Sequence, residues 1–225
     1  MTLDNLLRQN RSWADSIEAA EPGFFKSLSL QQAPQYFWIG CADSRVPANE
    51  LVGLRPGELF VHRNVANVVS PSDLNSLACL QYAVDVLQVK HVMVVGHLGC
   101  GGVNAALNGT RVGLADNGIL HVRDVISRHS LLLSGLDGSS RADVACELNV
   151  LEQARNVCNT TVIQDAWSRG QKVIVHAMVY SLDDGLLHSL DFDVEDAIAV
   201  SATYATALTR IWECKGVNIR YGEER

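Results

Sequence analysis

Short apolar runs alternate along this chain with longer stretches in which apolar residues recur at helical spacing. Tyr36–Gly40, Leu59–His62, His91–Gly96 and Lys172–Tyr180 are apolar throughout rather than alternating, as expected of parallel strands covered on both faces. Between them, residues 73–88, 101–108, 116–133 and 140–169 read as helices. Asp73 and Ser140 stand where N-caps belong, and Gly170 marks a stop. An edge strand over 185–191 follows the Asp183-Asp184-Gly185 turn, and 194–214 reads as a closing helix. Residues 3–17 place Leu3, Leu6, Leu7, Trp13, Ala14 and Ile17 on one stripe of an amphipathic helix that ends near Glu21-Pro22-Gly23. It precedes the first strand and so packs away from the sheet, on a partner subunit or on its own. Strands alternating with helices predict an α/β fold. Its mainly parallel central sheet has four strands plus an edge strand, flanked by helices, in a single domain spanning 1–225.

Composition narrows the class. A 225-residue chain that is 48% hydrophobic and 19% charged is globular. No apolar run approaches the roughly 20 residues that span a bilayer. The first residues carry neither a basic start nor an apolar signal core, so the expected location is cytoplasmic. An organellar protein whose transit peptide has been removed would read the same way. A net charge of −7 without a Lys/Arg cluster argues against nucleic acid. The six cysteines form no disulfide-like framework, and Cys79, Cys146 and Cys158 read as small buried apolar groups in a reducing compartment.

Two segments carry chemistry. Cys41-Ala42-Asp43-Ser44-Arg45 follows the first strand, and Gly96-His97-Leu98-Gly99-Cys100-Gly101-Gly102 follows the third. Both emerge at carboxyl ends of parallel strands, where open α/β sheets bind ligands. Two thiolates, an imidazole and a carboxylate form a full set of four zinc ligands in Cys41, Asp43, His97 and Cys100. Arg45, two residues from Asp43, offers that carboxylate a rival partner. A structural zinc has no use for such a competitor, whereas a catalytic zinc needs a position that can open.

The words Cys41-Ala-Asp-Ser-Arg-Val-Pro47, Pro56-Gly-Glu-Leu-Phe-Val-His-Arg-Asn-Val-Ala-Asn67 and Gly96-His-Leu-Gly-Cys-Gly-Gly102 resemble those of the β-class carbonic anhydrases, over about residues 3–190. The resemblance implies Zn²⁺ held by Cys41, His97 and Cys100, Asp43 and Arg45 as a catalytic dyad, and reversible hydration of CO₂ to bicarbonate and a proton. It makes Asp43 a gated fourth ligand that Arg45 draws off the metal. Trp38, Arg63 and Tyr180 match a trio that binds regulatory bicarbonate in the aspartate-closed, type II subgroup, and all three side chains donate hydrogen bonds, which suits an oxyanion. Gln32, Phe60, Tyr82 and Gly101 match positions along the substrate cleft. The resemblance further implies a homodimer or a homotetramer built as a dimer of dimers.

The residues leave two other readings: hydrolysis of CS₂ or COS on the same zinc, and a noncatalytic bicarbonate sensor. Intact Asp43 and Arg45 argue against the sensor. His62, His91 and His176 read as core or surface groups in strands, and His121 and His129 as members of a surface helix. Gly118 stands where relatives carry a large aromatic residue and would leave unfilled volume. Ala177-Met178 replaces a Gly-aromatic pair before Tyr180, and beyond about residue 190 the likeness fades.

Overall fold

The computed structural model describes residues 2–30 and 32–214. In chain order these form α1 (Leu3–Ala20), α2 (Phe24–Leu30), β1 (Tyr36–Cys41), α3 (Ala48–Leu51), β2 (Leu59–Asn64), α4 (Leu74–Gln81), β3 (His91–His97) and α5 (Gly101–Asn108). There follow α6 (Asp116–Arg128), α7 (Ser130–Ser134), α8 (Gly138–Cys158), α9 (Thr161–Ser168), β4 (Ile174–Tyr180), β5 (Leu187–Val194) and α10 (Ala199–Cys214). A π-helical turn, Tyr82–Val86, extends α4.

The five strands form one sheet in the order β2-β1-β3-β4-β5, the first four parallel and β5 antiparallel. This is the α/β architecture that the pattern of apolar runs predicts. β1 and β3 lie at the centre, where Phe37, Trp38, Ile39, Val92, Val94 and Val95 lose all exposure. The expectation of strands fully covered on both faces holds for this pair and fails for β2 and β4, where buried and half-buried residues intermix. One face packs on the large helical core with α4, α5, α6, α8 and α10. The other meets only a small cluster built from Val46, Ala48 and flanking residues.

Helix continuity departs from the periodicity at identifiable residues. The 140–169 stretch is two helices, because Thr160 accepts a hydrogen bond from Ile163 N and starts α9 afresh. Ser140 lies inside α8 rather than capping it, since α8 begins at Gly138 after Asp137. Asp73 does cap α4, accepting from Asn75 N at 3.0 Å, and Gly170 takes φ 76° beyond α9. The 116–133 stretch breaks at His129 into α6 and α7. Helices α2 and α3 are too short for a periodic signal. A Cβ placed on Gly118 would meet nothing within 4 Å, so the expected unfilled volume is absent: Gly118 lies on the exposed side of α6, while its neighbour Ile119 is buried. α1 buries none of its residues and meets α2 chiefly through the edge-to-face pair Trp13–Phe25, 5.6 Å between centroids.

Candidate metal centre and active site

Cys41 closes β1, His97 closes β3, and Cys100 stands as the N-cap of α5. Adjacent parallel strands end side by side, so 56 positions of chain collapse into one buried corner. One ligand atom from each of Cys41, His97 and Cys100 lies within 4.8 Å of the other two, and all three residues are buried. This is the one metal-competent group of three among the described residues. Gly99, at φ 68°, turns the chain back between His97 and Cys100 in a conformation that a side chain disfavours. Leu98 N donates to Tyr180 O at 2.9 Å, pinning the ligand-bearing turn to β4.

The two sulfurs are 3.8 Å apart, far beyond a disulfide's ~2.05 Å. The separation matches the ~3.8 Å expected of sulfurs ~2.3 Å from a tetrahedral zinc. Sharing this corner splits their acidity. A hydrogen bond from Cys100 holds the Cys41 thiol well below its ordinary range despite burial, with help from His97 and the backbone of Ala66 and Asp43. The same contact, together with burial, pushes the Cys100 thiol far up. A divalent cation would relieve that conflict by replacing the second proton. The thiolate charge of Cys100 also gains from its place at a helix N-terminus.

His97 has Nδ1 3.0 Å from Leu98 O, a contact that fixes the tautomer with Nδ1–H as donor. In the neutral ring its Nε2 is left as a lone pair, buried and without a hydrogen-bond partner among the described residues. An orphaned nitrogen beside two sulfurs fits a zinc or other thiophilic divalent cation, and an apolar core histidine would not be built this way.

Asp43 stands at the mouth of this corner, with Oδ2 3.6 Å from His97 Nε2. Arg45 takes it from both sides: Nε to Oδ1 at 2.9 Å, Nη2 to Oδ2 at 2.7 Å, and its own backbone N–H to Oδ1 at 2.9 Å. These bonds hold the Asp43 carboxyl far below the usual carboxylate range, so it stays ionised. Arg63 braces the backbone behind them, donating from Nε to Cys41 O at 2.9 Å and from Nη2 to Asp43 O.

The remaining expected site residues divide. Trp38, Arg63 and Tyr180 lie on one sheet face, and Trp38 and Tyr180 share its small apolar cluster. Trp38 Nε1 is a buried donor without a partner; it leans over Gly40, where an added Cβ would come within 2.1 Å of it. Phe60 and Tyr82 pack ring to ring at 5.9 Å, and Phe60 also meets Phe37 at 5.5 Å. Gly101 opens α5 beside Cys100 and is exposed. Gln32 is exposed in the stretch before β1. A cavity of about 350 Å³ lies elsewhere, between β5 and α10, lined by residues including Ser181, Asp191 and Arg210, and contains none of the metal-facing side chains.

One histidine was misread from sequence, and another, His176, sits in a strand as expected but with more partners than its position signals. His129 is no surface group: its Nε2 pairs with the buried carboxylate of Glu152 at 3.1 Å, in a cluster with Arg128, Arg155 and Tyr204. His176 bonds both His91, at 3.0 Å, and Asp193, at 2.5 Å, across three strands. Sequence reasoning also missed the carboxamides of α8 that grip the chain after β2. Their signal, Asn149, Gln153 and Asn156 at i, i+4 and i+7 on the mostly apolar buried face of α8, is visible in retrospect.

Comparisons with known proteins agree with this geometry. A family model described as carbonic anhydrase matches residues 36–187. A carbonic anhydrase of Emericella nidulans is 45% identical over 199 residues, covering 88% of this chain and 87% of that one. The solved structure of a Coccomyxa β-carbonic anhydrase in complex with acetazolamide superposes with a TM-score of 0.87 at 38% identity, over 97% of this chain and 99% of that one. One of two tetrameric β-carbonic anhydrases from Sordaria macrospora gives 0.81 at 36% identity, over 85% and 98%. The chain belongs to the carbonic anhydrase family, in its β class.

Proposed function

We propose that this chain is a zinc-dependent enzyme that reversibly hydrates CO₂ to bicarbonate and a proton. The observation that carries the reading is the buried Cys41–His97–Cys100 corner with an Arg45-held carboxylate at its mouth. Cys41, His97 and Cys100 would hold the metal, which when bound supplies a Lewis acid able to make water ionisable near neutrality. Asp43, ionised and fixed by two parallel bonds from Arg45, accepts a hydrogen bond from the attacking water and directs its free lone pair at CO₂. Arg63, bonded to the carbonyls of Cys41 and Asp43, keeps ligand and carboxylate in register. Phe60 and Tyr82 offer an apolar wall suited to an uncharged substrate, and Gln32 a donor for bicarbonate.

Asp43 also serves as a gate in this reading. Turned onto Arg45 it leaves the metal position open; released from Arg45 it would close it. Trp38, Arg63 and Tyr180 bind bicarbonate as the signal that favours closure, and the unpartnered Trp38 Nε1–H is the donor that supports this assignment. The working unit is a homodimer or homotetramer, which would cover the apolar stripe of α1 (Leu3, Leu6, Leu7 and Trp13 are all exposed). No described helix is long and apolar enough to cross a membrane. Stopped-flow hydration of CO₂, with CS₂ and COS offered in parallel and metal counted on the same sample, tests the reading. Turnover of CS₂ or COS without CO₂ would replace it.

A further inference from the structure

Just past β2, two consecutive residues other than glycine, Ala66 and Asn67, adopt positive φ (63° and 46°). Side chains disfavour that region, and such a pair persists only where its surroundings over-determine it. Here the surroundings are three carboxamides of α8. Asn149 Nδ2 donates to Ala66 O at 2.9 Å, Gln153 Oε1 accepts from Val69 N at 2.8 Å, and Asn156 Nδ2 donates to Val69 O at 3.0 Å. The three are joined to one another: Gln153 Nε2 donates to Asn149 Oδ1 at 3.1 Å and Asn156 Nδ2 to Gln153 Oε1 at 3.2 Å. From the strand side Asn64 clasps Val68 by both its N–H and its C=O.

Asn149 and Gln153 are essentially without exposure, a costly place for polar side chains unless each is used. What they hold lies against the metal corner. Ala66 and Cys41 share one buried cluster, and the Ala66 backbone is among the groups that hold the Cys41 thiol's pKa down. The turn also nests against both glycines flanking the third strand's motif. A Cβ on Gly102 would lie 3.1 Å from Ala66 Cβ, and one on Gly96 would lie 3.1 Å from Asn67 Oδ1.

We propose that Asn149, with Gln153 and Asn156, is a positioning device for the metal centre, locking Ala66 and Asn67 in the left-handed turn that packs against Gly96, Gly102 and the Cys41 side of the corner. An N–H donated to a thiolate draws charge off the sulfur, so the stripe sets how strongly Cys41 donates to a bound cation. None of the three touches the reacting atoms. The inference rests on Cys41 being a metal ligand.

The full chain loaded with Co²⁺ tests it, since sulfur-to-cobalt charge-transfer absorption reports the electron density on the ligating sulfur. Asn149→Ala, and Asn149→Asp, which keeps the shape but cannot donate to Ala66 O, should move that band to longer wavelength. Both should also release Co²⁺ to a chelator about 10-fold faster than wild type, because the ligand-bearing corner loses its fixed geometry, an effect that outweighs the stronger donation of a less hydrogen-bonded sulfur. Adding Ala66→Gly to Asn149→Ala should return the band toward its wild-type position, because glycine holds the turn unaided. Arg155→Gln, which loosens α8 from α10 without touching the turn, should lower the melting temperature and leave the band in place. If Asn149→Ala does not fold, Asn156→Ala at the rim of the stripe carries the same test. A normal wild-type band that is unshifted in these variants overturns the inference alone. A wild-type chain that takes up no Co²⁺, or shows no sulfur band, overturns the metal reading and the inference with it.

Discussion

Arg45 holds Asp43 by both carboxylate oxygens, at 2.9 and 2.7 Å, while the nearer oxygen stays 3.6 Å from His97 Nε2. The carboxylate thus stands beside the metal corner without belonging to the close-set trio of Cys41, His97 and Cys100. Arg45 is more than half exposed, and the side-chain hydrogen bonds it makes among the described residues both go to Asp43, so its geometry is spent on orienting one neighbour.

Because Arg45 orients Asp43 and ligates nothing, Arg45→Ala should lower kcat/KM for CO₂ hydration by about 10²–10³-fold and leave one zinc per chain. Arg45→Lys should recover little, since an ammonium cannot present two parallel donors. Metal analysis beside stopped-flow rates checks both. Loss of zinc in Arg45→Ala would make Arg45 a structural support of the ligands.

Replacing His97 by Ala removes the only nitrogen donor and leaves two buried sulfurs sharing one corner. Zinc content should fall to a small fraction of wild type, with activity falling in step. The exchange of a sulfur for an oxygen in Cys41→Ser should weaken zinc more than it weakens the fold. Titration with a chelator, followed by readdition of zinc, measures the loss and its recovery.

Trp38→Phe deletes the buried indole N–H and keeps most of the ring. If this donor serves bicarbonate, the variant should lose several-fold in sensitivity to added bicarbonate, and its activity should rise less steeply with pH. Rates at a series of bicarbonate concentrations and two pH values suffice. Unchanged inhibition in Trp38→Phe would remove Trp38, Arg63 and Tyr180 from regulation.

Glu152, 2% exposed, predicts a pH-dependent term in stability. Burial alone would raise its pKa, but hydrogen bonds from His129 and Tyr204 and the charges of Arg155 and Arg128 outweigh it, leaving the folded value below 4.5. A carboxyl depressed on folding stabilises above its unfolded pKa, and that contribution disappears as pH falls through the folded value. Glu152→Gln should therefore cost about 1.5–3 kcal/mol near neutrality. The gap to wild type should close below pH 4.5, as thermal melts across pH will show.

The parallel strands and the ligand words were legible in the sequence for one reason: both depend on local runs. Four apolar stretches announce β1 to β4, and Cys41, Asp43, His97 and Cys100 each follow one of them by a few residues. What escaped is carried by long-range pairing of polar groups. Glu152 draws His129 inward across 23 positions, and Asn149 reaches Ala66 across 83. Neither partner's identity is signalled near it in the chain. Helix breaks such as Thr160 were missed because the apolar period runs on through them. Gly118 misled because its departure from the family pattern falls on an exposed position, where no neighbour borders the missing side chain.

The central claim is that three buried side chains and one held carboxylate make a CO₂-hydrating centre. Stopped-flow hydration of CO₂ by wild type and Asp43→Ala, with zinc counted on the same samples, tests it most directly. The account predicts one zinc per chain in both, rapid hydration by wild type, and a loss of about 10²–10⁴-fold in Asp43→Ala. Zinc-replete wild-type protein that hydrates CO₂ no faster than Asp43→Ala would contradict it.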